Sequence, residues 1–162
     1  MKPERQSELL EKNLARNLAW ITAADSRVSP LFAINTAMLG VVAALLPKPA
    51  LWEKLPLVTA VLTVICLGVS LVCIFLTTIP RTTGPKSSLL FFGGIAQKDA
   101  QQYLQAIQAH KDDDYVQDLA FQVHRNAEIA AAKFKWIGCA MRWTLIGVLP
   151  WLFTIFLLYQ RH

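Results

Sequence analysis

The stretch LPLVTAVLTVICLGVSLVCIFLTTI, residues 55–79, decides the fold class, because it runs for 25 residues without a charged side chain. A helix of that length can cross the hydrocarbon core of a bilayer, which is about 30 Å thick. Two further apolar stretches are residues 29–46, rich in small side chains, and residues 137–159, which only Arg142 interrupts. Only 17% of all residues are charged, against about 25% in soluble domains. The sequence therefore predicts an all-α integral membrane protein with three transmembrane helices.

The distribution of lysine and arginine predicts the orientation, because basic residues are retained on the cytoplasmic side of a membrane. Of the 16 basic residues, twelve lie in residues 1–28 or 80–136. We therefore expect four segments: a cytoplasmic amphipathic helix over residues 1–28, a transmembrane hairpin over 29–79 (29–46 and 55–79), a small cytoplasmic helical region over 80–136, and a third transmembrane helix over 137–159. The N-terminus is then cytoplasmic.

Local signals place helices in the cytoplasmic segments. Apolar residues at helical spacing predict one helix over about 3–24, and a second is expected over about 96–110. The three aspartates 112–114 precede a third helix, which starts near Tyr115 and continues into the last transmembrane segment; there they can cap its N-terminus and match its dipole. Pro150 is expected to kink that helix, either as a gating hinge or as a static bend.

No catalytic or metal-binding motif is recognisable. The three cysteines lie in apolar stretches and are expected to pack as small hydrophobic side chains. His110 and His124 have no third ligand at metal spacing, and consecutive aspartates at a helix start do not converge easily on one cation. Nucleophile-elbow, phosphate-loop and zinc-protease motifs are missing. We therefore expect no enzymatic activity, no metal and no cofactor.

The cytoplasmic region 80–136 does contain the residue types that recognise a small anionic ligand. Basic residues can bind a phosphate, aromatic rings can stack on a base, and amides can pair with a base edge. These residues are Lys98, Arg125, Lys133 and Lys135; Phe91, Phe92, Tyr103 and Tyr115; and Gln102, Gln122 and Asn126. The alternative is that they form the polar face of a small helical bundle, with the last two lysines reaching the lipid headgroups.

Three stretches resemble the transmembrane effector family of the Pycsar antiphage systems. They are WITAADSRVSPLFAINTAMLG (20–40), FFGGIA (91–96) and DDDYVQDLAFQVHRNAEIAAAKF (112–134). The resemblance implies a bacterial inner-membrane effector that works beside a pyrimidine cyclase. The cyclase makes cyclic UMP (cUMP) or cyclic CMP (cCMP) during phage infection, and this ligand activates the effector, which damages the membrane and stops the infected cell (abortive infection).

The resemblance also identifies candidate functional residues, and the chemistry above adds Arg125 and Pro150. For ligand binding we expect Tyr103, Tyr115, Gln122, Arg125, Asn126 and Lys133. For structural or gating roles we expect Asp25, Arg27, Asp99, Asp114 and Pro150. The helix 112–136 would transmit ligand binding to the third transmembrane helix.

The expected partners are the cyclic nucleotide, the lipid bilayer, further copies of the chain in a homo-oligomer and, functionally, a pyrimidine cyclase; no nucleic acid polymer is expected. The alternative function is a non-enzymatic membrane anchor or assembly subunit that binds a protein partner through its cytoplasmic helices.

Overall fold

The computed structural model describes residues 3–46, 54–80, 84 and 88–160. Within these ranges 88% of the residues are helical and none lies in a strand, which confirms the all-α prediction. Three helical stretches, Glu4–Leu45, Lys54–Thr78 and Asp112–Tyr159, are long and apolar enough to cross a membrane. The helices in chain order are α1 (Pro3–Asp25), α2 (Val28–Leu45), α3 (Lys54–Thr78), α4 (Phe92–Ile95), α5 (Ala100–Gln108) and α6 (Asp112–Tyr159).

The ends of α2 and α3 lie within one residue of the apolar stretches 29–46 and 55–79, whereas the helix boundaries between α3 and α6 differ more from the expected ones. The helix expected over 96–110 is the shorter α5, because a capping box starts it at Ala100. In this box Asp99 Oδ1 accepts from Gln102 N at 2.8 Å, and Gln102 Oε1 accepts from Asp99 N at 3.4 Å. Helix α6 starts three residues before Tyr115, so the three aspartates lie in its first turn. Residues 47–53 of the segment between the first two predicted transmembrane helices, and residues 81–83 and 85–87, lie outside the described residues.

The chain divides into two compact units. Unit 1 comprises Met1–Ala23 and Pro80–Ala132, and unit 2 comprises Ala24–Ile79 and Lys133–His162. All three predicted transmembrane segments therefore belong to unit 2. Helices α1 and α6 contribute residues to both units.

Unit 2 packs around one face of α3. The buried residues of α3 recur every three or four positions and are mostly small, which lets neighbouring helices approach closely. One close approach is at Gly147 of α6, where a Cβ would lie 3.1 Å from Cys66 Cβ. Large apolar side chains elsewhere on the same helices stay exposed, among them Phe75 at 65% and Leu145 at 68%. Such a surface is unfavourable in water and favourable against lipid.

A cluster of polar side chains joins the three helices of unit 2 in their buried interior. Asn35 Nδ2 of α2 donates to Thr144 Oγ1 of α6 at 3.0 Å and to Leu31 O at 2.7 Å. Ser70 Oγ of α3 lies 2.9 Å from the same Thr144 oxygen and donates to Ala140 O at 3.0 Å. Hydrogen bonds of this kind stabilise helix association in lipid, where apolar surfaces gain little from contacting one another. The cluster therefore fixes which faces of α2, α3 and α6 meet.

Unit 1 brings the N-terminal parts of α1 and α6 together with α4, α5 and the segment 88–91. Within this unit, two hydrogen bonds join α1 to α6: Asn17 Nδ2 donates to Val123 O at 2.9 Å, and Tyr115 Oη donates to Glu11 Oε1 at 2.9 Å. Leu119, only 2% exposed, is the most buried apolar side chain that α6 contributes to this unit.

Candidate ligand-binding site

A pocket of about 310 Å³ opens in unit 1 where the segment 88–91, α5 and the first turn of α6 meet. Its described lining residues are Leu89, Leu90, Tyr103, Ile107, His110, Lys111, Asp112 and Tyr115. Small-molecule sites have volumes of about 300–1,000 Å³ and combine apolar walls with a few polar groups. The pocket is therefore large enough for a ligand at the small end of that range.

One carboxylate holds the wall formed by Leu89 and Leu90. Asp118 Oδ2 accepts hydrogen bonds from Ser88 Oγ at 2.9 Å, Leu89 N at 2.9 Å and Leu90 N at 3.3 Å. Gln122, buried one turn further along α6, donates from Nε2 to Ser88 Oγ at 3.1 Å. Because a carboxylate with several hydrogen bonds is a strong anchor, this wall is attached firmly to α6.

The two tyrosines of the pocket already use their hydroxyl protons. Tyr103 Oη donates to Leu89 O at 3.3 Å, and Tyr115 Oη donates to Glu11 Oε1. The bond to the Glu11 carboxylate raises the pKa of Tyr115, because it favours the neutral hydroxyl. Towards a ligand, both oxygens can therefore only accept.

The segment between α5 and α6 supplies the remaining polar groups. His110 Nε2 is buried and has no hydrogen-bond partner among the described residues. Lys111 and Asp112 follow it, and both side chains are exposed. Buried polar atoms without a partner are rare in native proteins, so this nitrogen retains unused hydrogen-bonding capacity beside the pocket.

Of the six residues predicted to bind ligand, Tyr103 and Tyr115 line this pocket. Gln122 supports its wall through Ser88, and Asn126 Nδ2 donates to Gln122 O at 2.8 Å within α6. Arg125 forms an ion pair with Glu128 at 3.0 Å. The roles of these amides and of Arg125 in ligand binding stay predictions.

The sixth, Lys133, lies in unit 2, where it joins the end of α1 to the end of α3. Its ammonium binds the Asp25 carboxylate and, at 3.3 Å, Thr77 O. Arg27 lies next to this pair, with its guanidinium carbon 5.6 Å from the centroid of the Phe134 ring. Two residues predicted to have structural or gating roles, Asp25 and Arg27, thus contact neighbouring residues of α6.

The other three predicted structural or gating residues lie at distinct points along the helices. Asp99 caps α5. Asp114 is exposed in the first turn of α6, and Pro150 lies inside α6, where its carbonyl accepts from Thr154 Oγ1 at 2.7 Å. No cluster of three or more potential metal ligands occurs among the described residues.

Sequence reasoning missed the other six residues of the pocket: the polar His110, Lys111 and Asp112 and the apolar Leu89, Leu90 and Ile107. For Asp112 it predicted only a capping role. The signal available for the three polar residues is that they are consecutive in the sequence at the junction of two helices.

Comparisons with known proteins identify a family for almost the entire chain. No curated protein sequence and no solved structure matches it. The family model described as PycTM, Pycsar effector protein domain, matches residues 9–160. This range includes the pocket in unit 1 and all three predicted transmembrane segments. The chain therefore belongs to the Pycsar effector protein family.

Proposed function

We propose that the chain is an antiphage effector that is activated by a cyclic pyrimidine mononucleotide, either cUMP or cCMP. The active form impairs the integrity of the bacterial inner membrane and so stops the infected cell. Family membership over residues 9–160 and the three membrane-length helices support the broader role of a membrane-located antiphage effector. The pocket at the start of α6 is the observation that carries the ligand-activated part of the proposal.

The pocket has the groups that a mononucleotide requires. Tyr103 and Tyr115 offer aromatic faces, and stacking of one base on such a ring contributes about 1–3 kcal/mol. Lys111 can bind the phosphate as a point charge. The neighbouring Asp112 carboxylate would repel a phosphate, so the phosphate must lie beside Lys111 and the base must lie on the side of Asp112.

Helix α6 gives such a ligand a way to act on the membrane segment. Asp112 and Tyr115 lie in the first two turns of a helix that continues without a break to Tyr159. A ligand shifts a conformational equilibrium only through different contacts in the two states, and groups at the end of a continuous helix can provide such a difference. The basic residues of 1–28 and 80–136 support a cytoplasmic N-terminus and pocket.

Membrane damage by this chain requires several copies. Three transmembrane helices of one copy are too few to enclose an aqueous path, and the polar groups buried in unit 2 bind one another. A symmetric homo-oligomer is the ordinary way to build a path from such subunits.

The test uses the full chain in lipid nanodiscs, titrated calorimetrically with cUMP, cCMP and cyclic AMP. We expect one pyrimidine nucleotide to bind and cyclic AMP not to bind, and Lys111→Ala to weaken binding by about tenfold, the loss of one charge-assisted contact. Arg125→Ala is the matched basic variant; weaker binding would support the predicted role of Arg125, and unchanged binding would contradict it. In liposomes, the bound nucleotide should release an encapsulated dye.

Absence of binding by protein of full helical content would overturn the ligand-activated effector. It would favour the membrane anchor or assembly subunit instead. Exposed apolar side chains of unit 1, such as Phe92 and Phe121, are the observation that favours a protein partner in that case.

A further inference from the structure

We infer that Cys73 and Cys139 form a redox-active dithiol, which a small hydroperoxide converts into a disulfide that joins α3 to α6. Both cysteines are free thiols in the structure, and Cys73 Sγ donates to Cys139 Sγ at 3.0 Å. A disulfide bond is about 2.0 Å long, so the two sulfurs need to approach each other by about 1 Å. The inference goes beyond the proposed function and does not depend on it.

Contacts on both sides of the thiol pair hold α3 against α6. Ser70 Oγ, about one turn before Cys73, donates to Ala140 O at 3.0 Å. About one turn after Cys73 on the same helix, Thr77 O accepts from the Lys133 ammonium at 3.3 Å. Cys73 and Ala140 also belong to one buried apolar cluster, against which the other cysteine of the pair packs. The surrounding contacts of unit 2 therefore keep the two sulfurs together.

The third cysteine is too far along α3 to take part in the same bond. Cys66 lies seven residues before Cys73, which corresponds to about 10.5 Å along a helix. Its Cβ lies instead beside Gly147 of α6. The chain therefore contains one pair of thiols in contact and one separate thiol that can serve as an internal control.

The surroundings of Cys139 suit a reaction with an oxidant. Reactive cysteines are usually partly exposed and lie in electropositive surroundings. Cys139 is only partly buried, and Lys135 and Arg142 lie about one turn before and after it on α6. Helices α2 and α3 contain no aspartate or glutamate. Because Cys139 is close to the start of the apolar stretch 137–159, an uncharged oxidant such as hydrogen peroxide can reach it from the membrane boundary.

The reaction balances with hydrogen peroxide as the two-electron oxidant. The Cys139 sulfur attacks one peroxide oxygen, the O–O bond breaks, and water leaves, which gives a sulfenic acid at Cys139. The Cys73 sulfur then attacks the sulfenic sulfur. The S–S bond forms as the S–O bond breaks, and the oxygen leaves with the Cys73 proton as a second water. Two thiols and one peroxide thus give one disulfide and two waters, and an external thiol reverses the change by exchange.

The disulfide would fasten α6 to α3 close to the membrane boundary. It connects residues 66 positions apart in the sequence and restricts the conformations open to the unfolded chain. The oxidised form should therefore resist unfolding better than the reduced form. The same bond prevents α6 from shifting along α3, so oxidation stabilises one arrangement of unit 2.

The experiment counts the thiols of the full chain in lipid nanodiscs before and after treatment with hydrogen peroxide. Thiols are labelled in dodecyl sulfate with a maleimide-linked polyethylene glycol and counted from the shifts on a gel. The unaltered chain should fall from three labelled thiols to one, and dithiothreitol should restore all three. Cys66→Ser is the matched control and should fall from two labelled thiols to none, whereas Cys139→Ser should keep both of its thiols.

A second measurement follows unfolding of the same samples in dodecyl sulfate. The oxidised chain should unfold at a higher dodecyl sulfate fraction than the reduced chain, and Cys139→Ser should show no such difference. Retention of all three thiols by folded protein, at a peroxide concentration that oxidises added glutathione, would overturn the inference. Thiol loss in Cys139→Ser, loss that dithiothreitol does not reverse, or a disulfide-linked dimer on a non-reducing gel would overturn it as well, because none of these results comes from a bond between Cys73 and Cys139.

Discussion

Replacement of Thr144 by valine should destabilise unit 2 by about 1.2 kcal/mol. Its hydroxyl is bonded across helices to Asn35 Nδ2 at 3.0 Å and to Ser70 Oγ at 2.9 Å, and interhelical hydrogen bonds in membrane proteins contribute on average about 0.6 kcal/mol each. Valine has nearly the same shape, so no cavity forms. Both partners keep a second acceptor, Leu31 O and Ala140 O respectively, which is why we expect the average value rather than the maximum of about 1.7 kcal/mol per bond.

Thr154→Val is the matched control for this variant. Thr154 is buried on the same helix, but its hydroxyl donates only within α6, to Pro150 O at 2.7 Å, so its loss should cost less than the roughly 0.6 kcal/mol of one interhelical hydrogen bond. Both free energies of unfolding can be measured by titrating the protein in mixed micelles with dodecyl sulfate while following tryptophan fluorescence. The expected difference between the variants corresponds to a several-fold change in the unfolding equilibrium. Equal effects of the two substitutions would refute the view that the buried cluster joins the helices.

Three further predictions concern helix contact, capping and titration. Gly147→Ala should destabilise unit 2, since its Cβ would lie 3.1 Å from a side-chain atom of α3. The Cβ of Gly138→Ala meets nothing within 4 Å, so that variant should be stabilised by up to about 1 kcal/mol. Equal changes in the free energy of unfolding in the same micelle titration would contradict this. Asp99→Ala removes a helix cap that contributes about 1 kcal/mol. Amide hydrogen exchange in α5 should therefore accelerate, while exchange in α6 stays unchanged. Unaltered exchange in α5 would count against the capping box. The raised pKa of Tyr115 means that its bond to Glu11 stabilises unit 1 at pH values below the ordinary tyrosine pKa, and that this stabilisation is lost as the pH rises through the raised pKa. In an ultraviolet titration of Glu11→Gln, with Tyr115→Phe as the reference, the pKa of Tyr115 should return towards about 10. An unchanged pKa would exclude Glu11 as the cause of the shift.

The helices of unit 2 could be predicted from the sequence because hydrophobicity alone decides them. A run such as residues 55–79 has few alternatives to a transmembrane helix, since every backbone polar group must be satisfied within the segment. The pairing of helix faces could not be predicted in the same way. Thr144 is one hydroxyl in an apolar helix, and nothing in its neighbours indicates that it bonds to Asn35 and Ser70 in addition to its bond within α6 to Ala140 O.

The candidate site could be predicted in part. Tyr103 and Tyr115 were identified by their aromatic rings and by the family pattern, and both line the pocket. The Arg125–Glu128 ion pair was also accessible from the sequence, because charges three residues apart on a helix are neighbours. The side-chain positions from His110 to Asp112 could not be predicted in this way, because these residues lie at the junction of α5 and α6, where no periodicity indicates the direction of a side chain.

The position of the pocket sets a condition on how an effector of this kind can work. To move a two-state equilibrium from 1:99 to 99:1, a ligand must bind one state about 10,000-fold more tightly, which is about 5.5 kcal/mol. If the proposed nucleotide binds, one stacked base and one charge-assisted phosphate contact together would contribute about 2.5–6 kcal/mol. A cyclic mononucleotide can therefore act as a complete switch only if nearly all its contacts exist in one state alone. Because the lining residues come from α5, the segment 88–91 and the start of α6, we expect the inactive state to lack the pocket rather than merely to leave it empty.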